Sequence, residues 1–145
     1  MSNPNPFAPP RADVQDVAAP GASFDIASLP VSDAWKARFR LIEKAGGVKV
    51  PQFKTLAFGE RMKISFSILA FLFGPIYYIV KGMWKKGLAL FAVCLVALFA
   101  VVFALELAGL GRLANAAGYA VAAVFAVRAN IDYYKKMVLG ENGWW

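Results

Sequence analysis

The chain contains no histidine and only one cysteine, Cys94, among its 145 residues. Without an imidazole, Ser-His-Asp chemistry and His-ligated metal sites are excluded within one chain. A lone cysteine cannot form an intrachain disulfide or complete a Cys/His zinc site, and Cys94 sits inside an apolar run. The glycines form no phosphate loop, since neither G-x-x-x-x-G-K-[ST] nor G-x-G-x-x-G occurs. Acidic residues are few: nine Asp and Glu stand against sixteen Lys and Arg, a formal net charge of +7. No basic-then-apolar leader opens the chain, so Met1–Asp33 is not expected to be a secretory signal. These absences remove much of enzymology. The expectation is a protein without catalytic, cofactor-binding or metal-binding residues.

Apolar surface is what the sequence has in excess. Hydrophobic residues make up 59% of the chain and mean hydropathy is +0.53, above the roughly 45–50% apolar usage of soluble domains. Nearly all of the excess follows Ile64. Composition thus divides the chain into a water-facing N-terminal part and a lipid-facing remainder.

Six of the eight prolines fall within residues 1–31. Such a segment buries too little apolar surface to offset its ordering entropy, and it reads as a disordered cytoplasmic tail. Asn5-Pro6-Phe7 within it reads as linker in preference to a docking motif. From Ser32, a plausible N-cap, the pattern becomes helical: Trp35, Phe39 and Ile42 recur on one face, Lys36, Arg40, Glu43 and Lys44 on the other. Gly46-Gly47 ends this helix. A short basic amphipathic helix suits an anionic membrane surface; packing of Trp35 and Phe39 on the rest of the chain explains the pattern equally well. Residues 32–63 therefore form one basic unit of helix and connector.

Three apolar stretches follow: Ile64–Val80, interrupted by Gly74-Pro75; Gly87–Leu105, nineteen residues without a charge; and Leu113–Val127, extended to Leu107 if Arg112 reaches the headgroups. A spanning helix takes about 20 apolar residues, so 87–105 and 107–127 are expected to span. If 64–80 also spanned, the basic clusters on its two sides would face opposite compartments, against the positive-inside tendency. A kinked, re-entrant hairpin at Gly74 and Pro75 removes the conflict and leaves every Lys and Arg except Arg112 cytoplasmic; a kinked third span is the rival. Proline deletes a backbone donor, and glycine permits the bend. The fold expected is thus an all-α membrane protein: two transmembrane helices plus a re-entrant or third membrane helix over 64–136, and a C-terminal tail, 137–145.

Gly111, Ala114, Gly118 and Ala122, with Asn115 beside them, form a small-residue face suited to close helix packing in lipid. Packing on the chain's own second stretch is favoured over a homo-oligomer seam. Tyr77, Tyr78, Trp84, Tyr133, Tyr134, Trp144 and Trp145 lie beside lysines and read as headgroup-level anchors. Glu106 and Arg112 are expected to pair across the short outer loop, and Asp132 to be solvated.

Three clusters resemble a known family. Trp35-Lys36-Ala37-Arg38-Phe39-Arg40-Leu41-Ile42, Phe58-Gly59-Glu60-Arg61-Met62-Lys63, and Tyr77-Tyr78 followed by Gly82-Met83-Trp84-Lys85-Lys86 are similar, in order and spacing, to the domain of unknown function 2628 family of small bacterial membrane proteins. The resemblance covers about residues 35–87. It implies an inner-membrane protein and brings no catalytic residue.

The function expected is a non-enzymatic accessory or interaction protein of the bacterial inner membrane. Trp35, Lys36, Arg38, Phe39, Arg61, Lys63, Trp84, Lys85 and Lys86 are the expected contacts to anionic lipid headgroups or a membrane-protein partner. Anionic lipid accounts for the basic charge without nucleic acid. The alternative is a small pore or transporter subunit; a membrane-embedded enzyme ranks third, lacking any acid–base or nucleophile constellation.

Overall fold

The computed structural model describes residues 25–145, and the Pro-rich stretch 1–24, including Asn5-Pro6-Phe7, lies outside the described residues. Five α-helices follow: α1 (Asp33–Lys44), α2 (Phe58–Ser65), α3 (Ile68–Val80), α4 (Trp84–Leu107) and α5 (Ala114–Val138), with three short 3-10 turns between or before them. No strand occurs among the described residues.

α4 is the most apolar element. Its 24 residues extend about 36 Å at 1.5 Å per residue. Val96, Phe99, Phe103 and Leu107 are each about two-thirds exposed or more. Gly109, at φ 72°, ends the helix and turns the chain. Leu107 therefore belongs to α4, and the expected span 107–127 is corrected to an apolar half-helix beginning at Ala114. Two stretches are long and apolar enough to cross a membrane, Phe58–Val80 and Trp84–Leu107. α5 has the length, 25 residues, but its second half carries Arg128, Asp132, Lys135 and Lys136.

Phe58–Val80 is not one straight rod. α2 and α3 are separated at Phe66 and Ser67, and α3 breaks again at Gly74, whose φ of 45° and ψ of −119° are non-helical. Gly74 is the residue that tolerates this backbone, and Pro75 starts the following turn without a donor to satisfy. The result is a chain reversal. The Ser67 N–H donates to the Ala126 carbonyl at 3.0 Å, while the Tyr78 ring lies 5.4 Å from Phe125. In a straight helix Ser67 and Tyr78 would be about 16 Å apart along the axis, yet both meet α5 at the same turn.

The core lies around the second half of α5. Trp35 and Phe39 of α1 lock onto Tyr133, at centroid distances of 4.6 and 5.7 Å, and Phe39 meets Tyr134 edge-on. Such aromatic pairs contribute about 0.5–1.5 kcal/mol each beyond the area they bury. Ile42, Leu56, Ile64 and Met83 complete the cluster. Ile26, 4% exposed, joins it from a 3-10 turn at Ile26–Ser28. The tail boundary expected at residue 31 is thus too late: Asp25 caps that turn, and Ile26 supplies the apolar anchor that composition averaged away. The C-terminal stretch also packs back, Trp144 lying edge-on to Trp84 and Lys86 Nζ donating to the Glu141 carbonyl.

Candidate functional site

α1 and α2 enclose an open groove lined by Ala34, Ala37, Arg38, Arg40, Leu41, Glu60 and Lys63. Local chemistry fixes its walls. Glu60 accepts the Ala57 N–H at 3.0 Å, capping α2, and pairs with Lys44 of α1 at 3.1 Å. Those contacts, the backbone N–H first and Lys44 second, hold the Glu60 carboxyl below its usual range. Arg40 and Lys63 are exposed on the groove, and Arg38 lies half-buried over the Trp35 ring. The groove therefore offers three cations against one carboxylate that is already paired.

Several residues expected at this surface are engaged elsewhere. Trp35 and Phe39 are 9% and 0% exposed, so α1 presents its aromatic face to the protein and its basic face outward. The reason is a complementary aromatic wall on α5. Lys36 Nζ donates to the Ala27 carbonyl. Arg61 donates to the Leu56 and Lys54 carbonyls and stacks on Phe53, closing the connector. Lys86 is buried. Trp84 and Lys85 remain accessible at the start of α4.

Tyr77, Tyr78, Tyr133 and Tyr134, expected as headgroup anchors, are core residues between 0% and 8% exposed. Lys81, in the α3–α4 turn, sits 4.8 Å from the Trp35 ring centroid and 4.6 Å from that of Tyr133. Burial, reinforced by Arg38 and Lys136, pushes its ammonium below the ordinary lysine range. Asp132 is likewise corrected from solvated to buried. It accepts from the Tyr78 hydroxyl at 2.9 Å and lies 3.7 Å from Arg128 Nε. Asn130, also buried, donates to the Lys63 and Ile64 carbonyls and ties α2 to α5. Sequence reading overlooked this polar group, although Phe125, Ala129 and Tyr133 at four-residue steps mark the buried face beside it.

Along α4 and the first half of α5 runs a cleft of about 190 Å³ lined by Cys94, Ala97, Leu98, Val101, Ala117, Ala120, Val121 and Val124. The α5 face turned to α4 is thus the Ala117–Val124 side. Gly118 has open space where a side chain would stand, Asn115 is exposed, and Ala114 and Ala122 are half-buried. The expected packing face is rotated away from α4 around Gly118, and Val121 and Val124 line the cleft opposite the α4 side chains instead. Gly111 lies in the loop under the Glu106 carboxylate. The expected Glu106–Arg112 pair is not formed; the ion pairs among the described residues are Lys44–Glu60 and Arg128–Asp132.

These features define a class: a small all-helical protein with two stretches able to cross a membrane and, among the described residues, no group of His, Cys, Asp or Glu placed to hold a metal ion. Residues 22–138 match the family model described as protein of unknown function DUF2628, and the chain belongs to that family. It is 33% identical over 124 residues to the uncharacterised protein YigF of Escherichia coli strain K12, covering 79% of this chain and 90% of that protein. YigF of Salmonella typhimurium is similar at 32% identity over the same extents. No solved structure matches.

Proposed function

We propose that the chain is an integral protein of a bacterial inner membrane, a non-enzymatic accessory protein whose basic end contacts anionic headgroups from the cytoplasmic side. One observation carries this reading: exposed apolar side chains band α3, α4 and the first half of α5, while every described Lys and Arg except Arg112 lies toward the opposite end from the α4–α5 loop. A monomeric soluble protein rarely exposes apolar patches larger than a few hundred Å², and lipid is the solvent that accommodates this band.

In this reading α4 crosses, and α5 returns. The apolar part of α5, Ala114–Val127, extends about 21 Å, and Leu110 and Leu113 of the loop supplement it toward a hydrocarbon core about 30 Å thick. α3 enters, reverses at Gly74 and leaves on the same side, packed against α5, where its interrupted backbone is shielded. The bend supports this over a third span, because the positive-inside tendency then holds on both flanks of α3. Of the basic residues around the groove and the start of α4, Arg38, Arg40, Lys63 and Lys85 are available to headgroups, each contributing about 1 kcal/mol near an anionic surface.

The test uses the full chain with Cys94→Ala and Ala37→Cys, the new thiol carrying an environment-sensitive fluorophore in the groove. In vesicles of phosphatidylcholine mixed with phosphatidylglycerol, emission is expected to shift to the blue relative to phosphatidylcholine alone and to revert in high salt. Identical spectra in both vesicles would sink the headgroup contact.

A further inference from the structure

The α4–α5 seam holds an apolar cleft and, one helical turn further toward the basic end, a charged cluster. They are contiguous. On α4, Lys86, Leu90, Cys94 and Leu98 follow at four-residue steps; on α5, Asp132, Arg128, Val124 and Ala120 do the same in the opposite direction. Residues four apart share a helix face, so the two features form one slot with a charged mouth and an apolar shaft.

We propose that this slot binds one anionic phospholipid, its phosphate on Arg128 beneath Trp145 and one acyl chain in the cleft. The proposal rests on the reading that α4 and the first half of α5 lie in the bilayer. Charge complementarity selects the lipid. Lys86 and Arg128 line the mouth against the single carboxylate of Asp132, leaving one positive charge unmatched there. Arg128 spends only its Nε edge on Asp132, at 3.7 Å, and its guanidinium lies 5.2 Å from the centroid of the Trp145 ring, 39% of its side chain still accessible. The remaining N–H groups form a fork suited to two phosphate oxygens. Trp144 and Trp145 line the same mouth, the amphipathic rings expected at headgroup level.

Dimensions agree. Leu90 to Val101 is about 16 Å along α4, close to half of a hydrocarbon core about 30 Å thick. The shaft therefore has the depth of one leaflet, measured from the basic end. The mouth itself is closed down to about 10 Å³ by the tryptophans, so the phosphate seats at its rim on Arg128 and shifts Trp145.

Full-length protein would be reconstituted in vesicles of equal parts phosphatidylglycerol and phosphatidylcholine, released in mild detergent, and its retained lipids counted by native mass spectrometry. Wild type is expected to retain phosphatidylglycerol over phosphatidylcholine by about fivefold, the ratio given by one basic contact. Arg128→Gln should abolish the preference. Ala120→Leu, which fills the shaft at an exposed position without touching the charges, should lower total retained lipid while helicity is unchanged. Equal retention of both lipids by wild type would overturn the slot. So would a preference that survives Ala120→Leu and Arg128→Gln but falls with Arg40→Gln and Lys63→Gln; that result leaves the headgroup contact of the α1–α2 groove standing. Failure of the protein to float with the vesicles would instead defeat the membrane reading itself.

Discussion

The two halves of α5 follow different rules within one continuous helix. From Phe125 onward it is buried beneath α1, α2 and α3, and its side chains are large, aromatic and polar: Tyr133, Tyr134, Asn130, Asp132. Before Phe125 it is mostly Ala, Gly and Val, with Asn115 and Tyr119 the exceptions, and much of it is exposed. In a protein that faced water throughout, the exposed half would be the polar one. Under the proposed membrane placement the inversion follows from a change of solvent along the helix: where water is present, stability comes from burying aromatic surface, and where lipid is present, an apolar exterior costs nothing and helix contact depends on shape.

That comparison is broken most sharply by truncating one phenylalanine packed on the buried half of α5 and one on the exposed apolar surface of its neighbour α4. Phe39→Ala, in the α1–α5 core at 0% exposure, should destabilise by about 3–5 kcal/mol. Phe99→Ala on α4, 73% exposed, should change stability by less than about 0.5 kcal/mol. Thermal melts followed by near-ultraviolet circular dichroism in detergent compare them directly; equal losses would mean that α4 has a protein partner over Phe99.

Glycines give a second contrast. A Cβ on Gly87 would stand 2.6 Å from the Tyr78 Cβ, where α3 closes on α4. Gly87→Ala should therefore cost about 1–3 kcal/mol despite its better helix propensity. Gly118→Ala meets open space and should stabilise by about 0.5–1 kcal/mol, as read in the same melts.

A third experiment probes the junction. Tyr78→Phe removes the hydroxyl that satisfies Asp132 and should cost about 1–3 kcal/mol, because a buried acceptor loses its donor. Asp132→Asn in the same background should recover part of the loss by neutralising the stranded carboxylate.

The smallest effect is pH dependence at the α1–α2 contact. Glu60 has its carboxyl pKa lowered by the Ala57 N–H and by Lys44. Its stabilising contribution is present in full above the unfolded glutamate pKa of about 4.3 and is lost as pH falls through the lower folded value. After correction for the intrinsic exchange rate, hydrogen exchange at the Ala57 amide should lose protection over that fall. In Glu60→Gln the protection should not change with pH.

Much of this was legible in the sequence. Hydropathy alone marked α4 almost to its ends, because nineteen uncharged residues admit little else. Gly74-Pro75 marked the reversal of α3, since that pair combines a permissive backbone with a missing donor. The inward side of α1 was visible as Trp35, Phe39 and Ile42; what covered it was not, because periodicity reports a face and never its partner. Tyr133 and Tyr134 looked like anchors for the same reason: beside lysines, an aromatic ring suits a headgroup or a core equally. Asp132 and Asn130 were opaque in principle. Their burial depends on Tyr78 and on the Lys63 and Ile64 carbonyls, more than fifty residues away in the chain.

The central claim is that α3 enters and leaves on one side, so that Lys54 before it and Lys85 after it share the basic end while the α4–α5 loop lies on the other. Site-directed labelling tests it in intact cells. With Cys94→Ala as background, Lys54→Cys, Lys85→Cys and Leu110→Cys would each be treated with a membrane-impermeant thiol reagent. The account predicts labelling of Leu110→Cys in intact cells, and of Lys54→Cys and Lys85→Cys only after permeabilisation. Intact-cell labelling that separates Lys54→Cys from Lys85→Cys would contradict it and make α3 a third span.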